Sequence, residues 1–140
     1  MKLIISTIVV GIVLFLLGGL FFSVLFADYF KTNYSAMGMR SPDDMKIWAF
    51  AVGSVIRAFF LYWIYSIGYK GGSPFMEGLK FGILISLFSA VPMVFFIWGS
   101  SAVKYQPVVV DGVLQMVMLV IGGLLTGLIH GRGSKPAATS

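Results

Sequence analysis

Few residues in this chain can do chemistry, and Arg57 stands out among them. It interrupts an otherwise uncharged stretch, with about ten apolar or small residues on either side. A guanidinium stays protonated inside proteins and carries five N–H donors in a planar fork. At the centre of a membrane helix it costs about 2.5–3.5 kcal/mol, so it calls for a compensating partner. Ala49, Gly53 and Arg57 share an i, i+4 stripe, with Ser54 and Ala58 alongside, and that stripe predicts a guanidinium on the packing face. The candidate acceptors are Asp111, Gln115, Asp28, Ser86 and the carbonyls freed around Pro92. Arg57, Asp111, Gln115 and Ser86 therefore make up the candidate intramembrane polar site. Helix-to-helix hydrogen bonding is the plainer role for Arg57. An anion or substrate site is the sharper one, and contact with another subunit or a bound lipid is third.

The remaining polar residues offer little. No Cys occurs, which excludes disulfides, thiol nucleophiles and Cys-ligated metal or iron–sulfur sites. Glu77, Asp28 and Asp111 have no visible His or Cys partner for paired acid–base work. No catalytic residue, cofactor or metal site is expected. His130 has the chemistry of a haem ligand at an unsuitable depth and is expected to be an interfacial histidine. Met37, Met39 and Met45 could favour soft copper, but their loop has no His or Cys to complete a site. Asn33-Tyr34-Ser35 matches the glycosylation pattern, which has meaning only in a secretory pathway. Gly131-Arg132-Gly133-Ser134-Lys135 lacks the residue order of a phosphate loop.

Composition sets the solvent that these residues see. Of 140 residues, 59% are hydrophobic and 11% charged, with a mean hydropathy of +0.97. A soluble domain carries about 25% charged residues, so a water-soluble globule is excluded. There is also too much apolar surface for a disordered chain. The net charge of +5 is spread too thinly along the chain to form a nucleic-acid patch.

The elements that must position Arg57 are four apolar spans of one transmembrane domain, at about 3–27, 43–69, 75–103 and 107–130, with a polar tail at 131–140. The first is too long for the apolar core of a signal peptide and is expected to be a retained helix. Ser41-Pro42-Asp43-Asp44 predicts the start of the second helix: an N-cap, a proline at N1 and acids in the first turn. Ser73-Pro74 repeats the device for the third helix, and Pro92 predicts a bend within it. Of the loops of about 19, 7–11 and 3–7 residues, the last two predict antiparallel neighbours, and the first is long enough to lie along the interface. Helices in lipid associate where small residues let backbones approach. The third span offers Gly78, Gly82, Ser86 and Ala90, and the fourth Gly123, Gly127 and Gly131 beside Gly122. Thr7, Gly11, Gly18 and Gly19 form a looser set in the first.

Lys2, Lys70, Lys80, Arg132 and Lys135 on one face outnumber Lys31, Arg40, Lys46 and Lys104 on the other, which favours cytoplasmic termini. Tyr29, Trp48, Trp98 and Tyr105 mark one interface, and Tyr65 and Tyr69 the other.

Three short segments carry a resemblance. Leu25-Phe26-Ala27-Asp28-Tyr29, Glu77-Gly78-Leu79-Lys80-Phe81-Gly82 and Gly122-Gly123-Leu124-Leu125-Thr126-Gly127 resemble those of a family of small bacterial four-helix membrane proteins, a domain of unknown function. The resemblance implies four helices in a bacterial inner membrane and brings no activity with it. The combined expectation is an all-α integral membrane bundle of four transmembrane helices. Its role would be non-enzymatic: a structural, accessory or assembly component of a homo-oligomer or larger membrane complex, with the lipid bilayer as its other partner. A small oligomeric transporter or channel with Arg57 in the pathway is the alternative.

Overall fold

A computed structural model of the chain describes residues 1–34 and 44–132. Among these the protein is all-helical. Helix α1 spans Lys2–Gly19 and continues through a π-helical segment, Leu20–Leu25. A short α2, Ala27–Asn33, follows, then α3 (Ile47–Gly68), α4 (Pro74–Ser100) and α5 (Tyr105–Gly131). Four stretches are long and apolar enough to cross a membrane: Lys2–Leu25, Ile47–Gly68, Pro74–Ser100 and Tyr105–Gly131. With 22 to 27 residues each they reach roughly 33–40 Å at 1.5 Å per residue, against a hydrocarbon core of about 30 Å. Large apolar side chains cover the outside: Ile4, Ile67, Phe88 and Phe96 are all more than 60% exposed. A soluble protein rarely presents so large a contiguous apolar surface. These features are those of an integral membrane protein.

Several boundaries differ from those read in the sequence. Ser41, Pro42 and Asp43 lie outside the described residues, as do Met37, Met39 and the tail beyond Arg132. Asp44 is not in the α-helix, which begins at Ile47 with Lys46 as its N-cap. At α4 the proline does sit in the first turn, but Ser73 makes no side-chain cap. Glu77 instead reaches back and ties down the preceding turn: Oε1 accepts from Gly72 N–H at 2.8 Å and Oε2 from Lys70 N–H at 3.2 Å. Gly71 takes a positive φ of 83° there, which closes the turn between α3 and α4. Pro92 is accommodated inside a continuous α4.

Helix α5 is the hub. It packs along α4 on one side and against α1 and α3 on the other, while α1 and α3 pack on each other. Val10 and Leu14 of α1, Ala58 and Leu61 of α3, and Met118 and Leu119 of α5 form the central core. A second cluster closes one end, where Phe30 and Tyr34 cover Val103 and Val108. The π-helical turn supplies the link: Phe26 N–H reaches back to Phe21 O at 2.9 Å, and Phe22 comes to 5.1 Å of the Phe30 ring. The first loop thus begins as a helix docked on the end of α5.

The α4–α5 seam is made by glycine. A methyl group on Gly82 would lie 2.8 Å from Val120 Cα, and one on Gly123 would lie 2.7 Å from Gly82 N. One on Gly127 would meet Gly78 Cα at 2.7 Å, and one on Gly131 would run into the Pro74 ring. Ser86 and Ala90 continue the buried face of α4. Backbones here are in direct contact, which is how apolar helices gain packing energy when lipid is as apolar as they are.

Candidate functional site

A file of polar side chains descends from the α2 end of the bundle towards its middle. The Tyr34 hydroxyl lies 3.2 Å from Asp111 Oδ2 and 3.3 Å from the Pro107 carbonyl, and its proton serves both acceptors. Tyr34 and Asp111 are both buried. Burial, with Asp111 beside it, pushes the Tyr34 phenol well above its ordinary range. Asp111 Oδ1 is buried with no hydrogen-bond partner. One turn deeper, Gln115 Oε1 accepts from Arg57 Nη1 at 3.0 Å. Asp111 and Gln115 share an i, i+4 face of α5, so α2, α5 and α3 are joined in sequence by Tyr34, Asp111, Gln115 and Arg57.

Of the five acceptors available to Arg57, the structure brings in Gln115 alone. Asp111 is committed to Tyr34. Ser86 is buried but donates to Ile83 O of its own helix at 2.8 Å, as a helical serine readily does. Asp28 lies exposed in the first turn of α2. Of the carbonyls near Pro92, that of Phe88 is the one the proline cannot serve, because Pro92 offers no N–H four residues on. The expectation that the whole Ala49–Gly53–Arg57 stripe packs inside is corrected for Ala49 and Gly53, while the Arg57 guanidinium does reach α5 through Gln115 as expected. Ala49 and Arg57 are exposed in the isolated chain, and a methyl group on Gly53 would have nothing within 4 Å. Helix α1 takes the neighbouring face of α3 instead, the one that carries Ala58, Leu61 and Tyr62.

That turn of α3 leaves a lateral groove between α3 and α4, floored by α5. Its volume is ≈ 250 Å³, and Arg57, Phe60, Ile64, Phe88, Ser89 and Gln115 are among its lining residues. It opens sideways: Phe60 is 45% exposed and Phe88 80%. Arg57 lies ten residues after Ile47 and eleven before Gly68, or about 15 Å from either end of the helix. The groove therefore presents a fixed positive charge at the depth where lipid is driest.

A second cluster lies at the opposite end, where the sequence marks Tyr65, Tyr69 and His130 as interfacial without bringing them together. Rings of Tyr62, Tyr65 and Tyr69 surround His130 at centroid distances of 5.5, 5.4 and 4.7 Å. His130 Nδ1 and the Tyr62 hydroxyl are 3.1 Å apart, and Lys2 Nζ donates to the His130 carbonyl at 2.8 Å. The spacing of Tyr62, Tyr65 and Tyr69 at three and four residues was the available signal, since it places all three on one face of α3. The hydroxyls of Ser6, Tyr65 and Thr126 are buried without partners. Among the described residues no three His, Asp or Glu side chains converge as metal ligands would.

The chain matches no protein-family model, no curated protein and no solved structure.

Proposed function

We propose that this protein is a non-enzymatic accessory or assembly component of a membrane complex, joined to it through the lateral face of α3 and α4. The observation that carries this reading is the open groove with Arg57 at mid-depth, held by a neutral Gln115. An intramembrane cation normally faces a bundle interior or a partner, because lipid gives it nothing to bind. Ala49 and Gly53 on the same open face allow close helix approach beside it. The proposed setting is a bacterial inner membrane with both termini cytoplasmic, an orientation supported by the Lys and Arg distribution.

The test is extraction of the protein from its native membrane in bilayer discs, followed by native mass spectrometry. Wild type should emerge with a second polypeptide or further copies, and Arg57→Ala should emerge alone. Wild type that is always a single chain in such discs would overturn the reading.

A transport role draws support from the Tyr34–Asp111–Gln115–Arg57 file, which runs from one end to mid-depth. A pathway would need a symmetric oligomer around it. Anion flux into proteoliposomes that disappears in Arg57→Ala would move this reading to first place.

A further inference from the structure

The occupant of the α3–α4 groove can be named by its chemistry, a step that rests on the accessory reading. We infer that the groove receives a transmembrane helix of a different protein, with an Asp or Glu near the middle of its span that pairs with Arg57.

Charge is the first argument. Gln115 accepts from one of the five guanidinium N–H donors and neutralises nothing. A carboxylate matches the fork in geometry and sign, and it binds two N–H groups at once. Neither half of such a pair sits comfortably in lipid alone, so each makes the other's insertion favourable.

A second copy of this chain does not supply that carboxylate. Asp28 is in α2, Asp43 and Asp44 precede α3, and Glu77 is bound to the turn before α4. Asp111 is 9% exposed and engaged by Tyr34. A two-fold contact through the groove would instead bring Arg57 towards its own copy. Lipid fails for a different reason. Headgroup phosphates lie about 15 Å above the midplane of a ~30 Å core, and the groove beside Arg57 is lined by apolar Phe60, Ile64 and Phe88.

Shape completes the argument. A volume of ≈ 250 Å³ has room for side chains rather than for a helix backbone. The partner therefore lies across the groove and inserts its acidic side chain. Gly53, one turn from Arg57 with open space beyond it, is where the two backbones approach. The partner should accordingly carry a small residue about one turn from its acid.

The chain has no cysteine, which makes the experiment direct. A Ser89→Cys variant is co-reconstituted in phosphatidylcholine vesicles with designed single-span Leu/Ala helices. Each helix carries one cysteine at matching depth and a guest Glu, Gln or Lys one turn away. Disulfide capture of the Glu helix should exceed that of the Gln and Lys helices by tenfold or more. Arg57→Gln should level the three, Arg57→Lys should keep a weakened preference, and Arg57→Glu should reverse it towards Lys. Equal capture of the Glu and Gln helices would overturn the carboxylate partner while leaving an accessory role intact. Predominant capture of a second copy would overturn it in favour of a homo-oligomer. Loss of the Glu preference when phosphatidylglycerol replaces part of the lipid would assign the site to an anionic lipid. Failure of the accessory reading itself would show separately, as a lone chain in native-membrane discs.

Discussion

Helix α4 has two flanks, and they solve the problem of helix contact in lipid differently. Towards α5 it meets a glycine surface: Gly78 and Gly82 interlock with Gly123 and Gly127, and no methyl group fits between them. Towards α3 the contact is sparse: the Tyr65 ring meets Phe81 edge-on at 5.3 Å, and the rest of the space between holds Arg57 and exposed aromatic rings. The small residues on α3 are as suited to contact as those on α5, yet Gly53 faces open space. A small-residue stripe therefore marks a surface that can be approached closely. It does not say whether the approaching helix belongs to the same chain.

The largest effect should come from filling the closed flank. Gly123→Ala places a methyl group against the backbone of Gly82, where no side chain can swing away. Overpacking of this kind costs about 1–3 kcal/mol and more when backbone must move, so about 3 kcal/mol is expected. Unfolding in mixed micelles, titrated with a denaturing detergent, measures it. A variant as stable as wild type would mean that the seam is looser than the described contacts require.

Tyr34→Phe should follow in size. It removes the hydroxyl that serves Asp111 and leaves a buried carboxylate poorer by one donor, at a cost of about 1–3 kcal/mol. The same contact has a pH signature. Burial and Asp111 raise the Tyr34 pKa in the folded protein above its ordinary value of 10.0. The folded state therefore holds the phenolic proton longer than the unfolded one. The resulting stabilisation is complete below about pH 10 and is lost as pH climbs towards the folded-state value. Tyrosinate absorbance should show Tyr34 ionising late, and Tyr34→Phe should remove that component.

Much of this architecture is legible before any coordinates. Long apolar runs locate the four spans because length and hydropathy alone decide which segments can cross lipid. What the sequence conceals depends on meetings across long stretches of chain. Tyr34 and Asp111 are 77 residues apart, and Tyr62 and His130 are 68 apart. No local spacing forecasts either pair. The rotation of α3 is hidden for a related reason. Both the Ala49–Gly53 face and the Ala58–Leu61 face can pack, and which one meets α1 depends on the competing fit of Val10 and Leu14.

Arg57→Leu should change the fold of the isolated chain by less than about 1 kcal/mol. Interhelical hydrogen bonds in membranes average only ~0.6 kcal/mol, and removing an unneutralised charge offsets the lost bond to Gln115. Its effect should fall on assembly, seen as loss of the complex in native-membrane discs. Marked instability of the detergent-solubilised monomer would place Arg57 among the fold's supports and weaken the contrast between the flanks.

The smallest effect on folding is expected at Gly53→Ala, the counterpart of Gly123→Ala on the open flank. In water a glycine in mid-helix costs up to about 1 kcal/mol relative to alanine. In lipid the separated helix is already formed, because its backbone groups have no other partners. Propensity therefore cancels, and with nothing within 4 Å the methyl group meets no clash. Stability should stay within about 0.5 kcal/mol of wild type. Assembly should be more sensitive, because the methyl group holds an approaching backbone away from Arg57. A bulkier Gly53→Leu should weaken the complex further while leaving the monomer unchanged. If Gly53→Leu assembles normally, the partner does not cross α3 at this turn, and the open flank must be used elsewhere along its length.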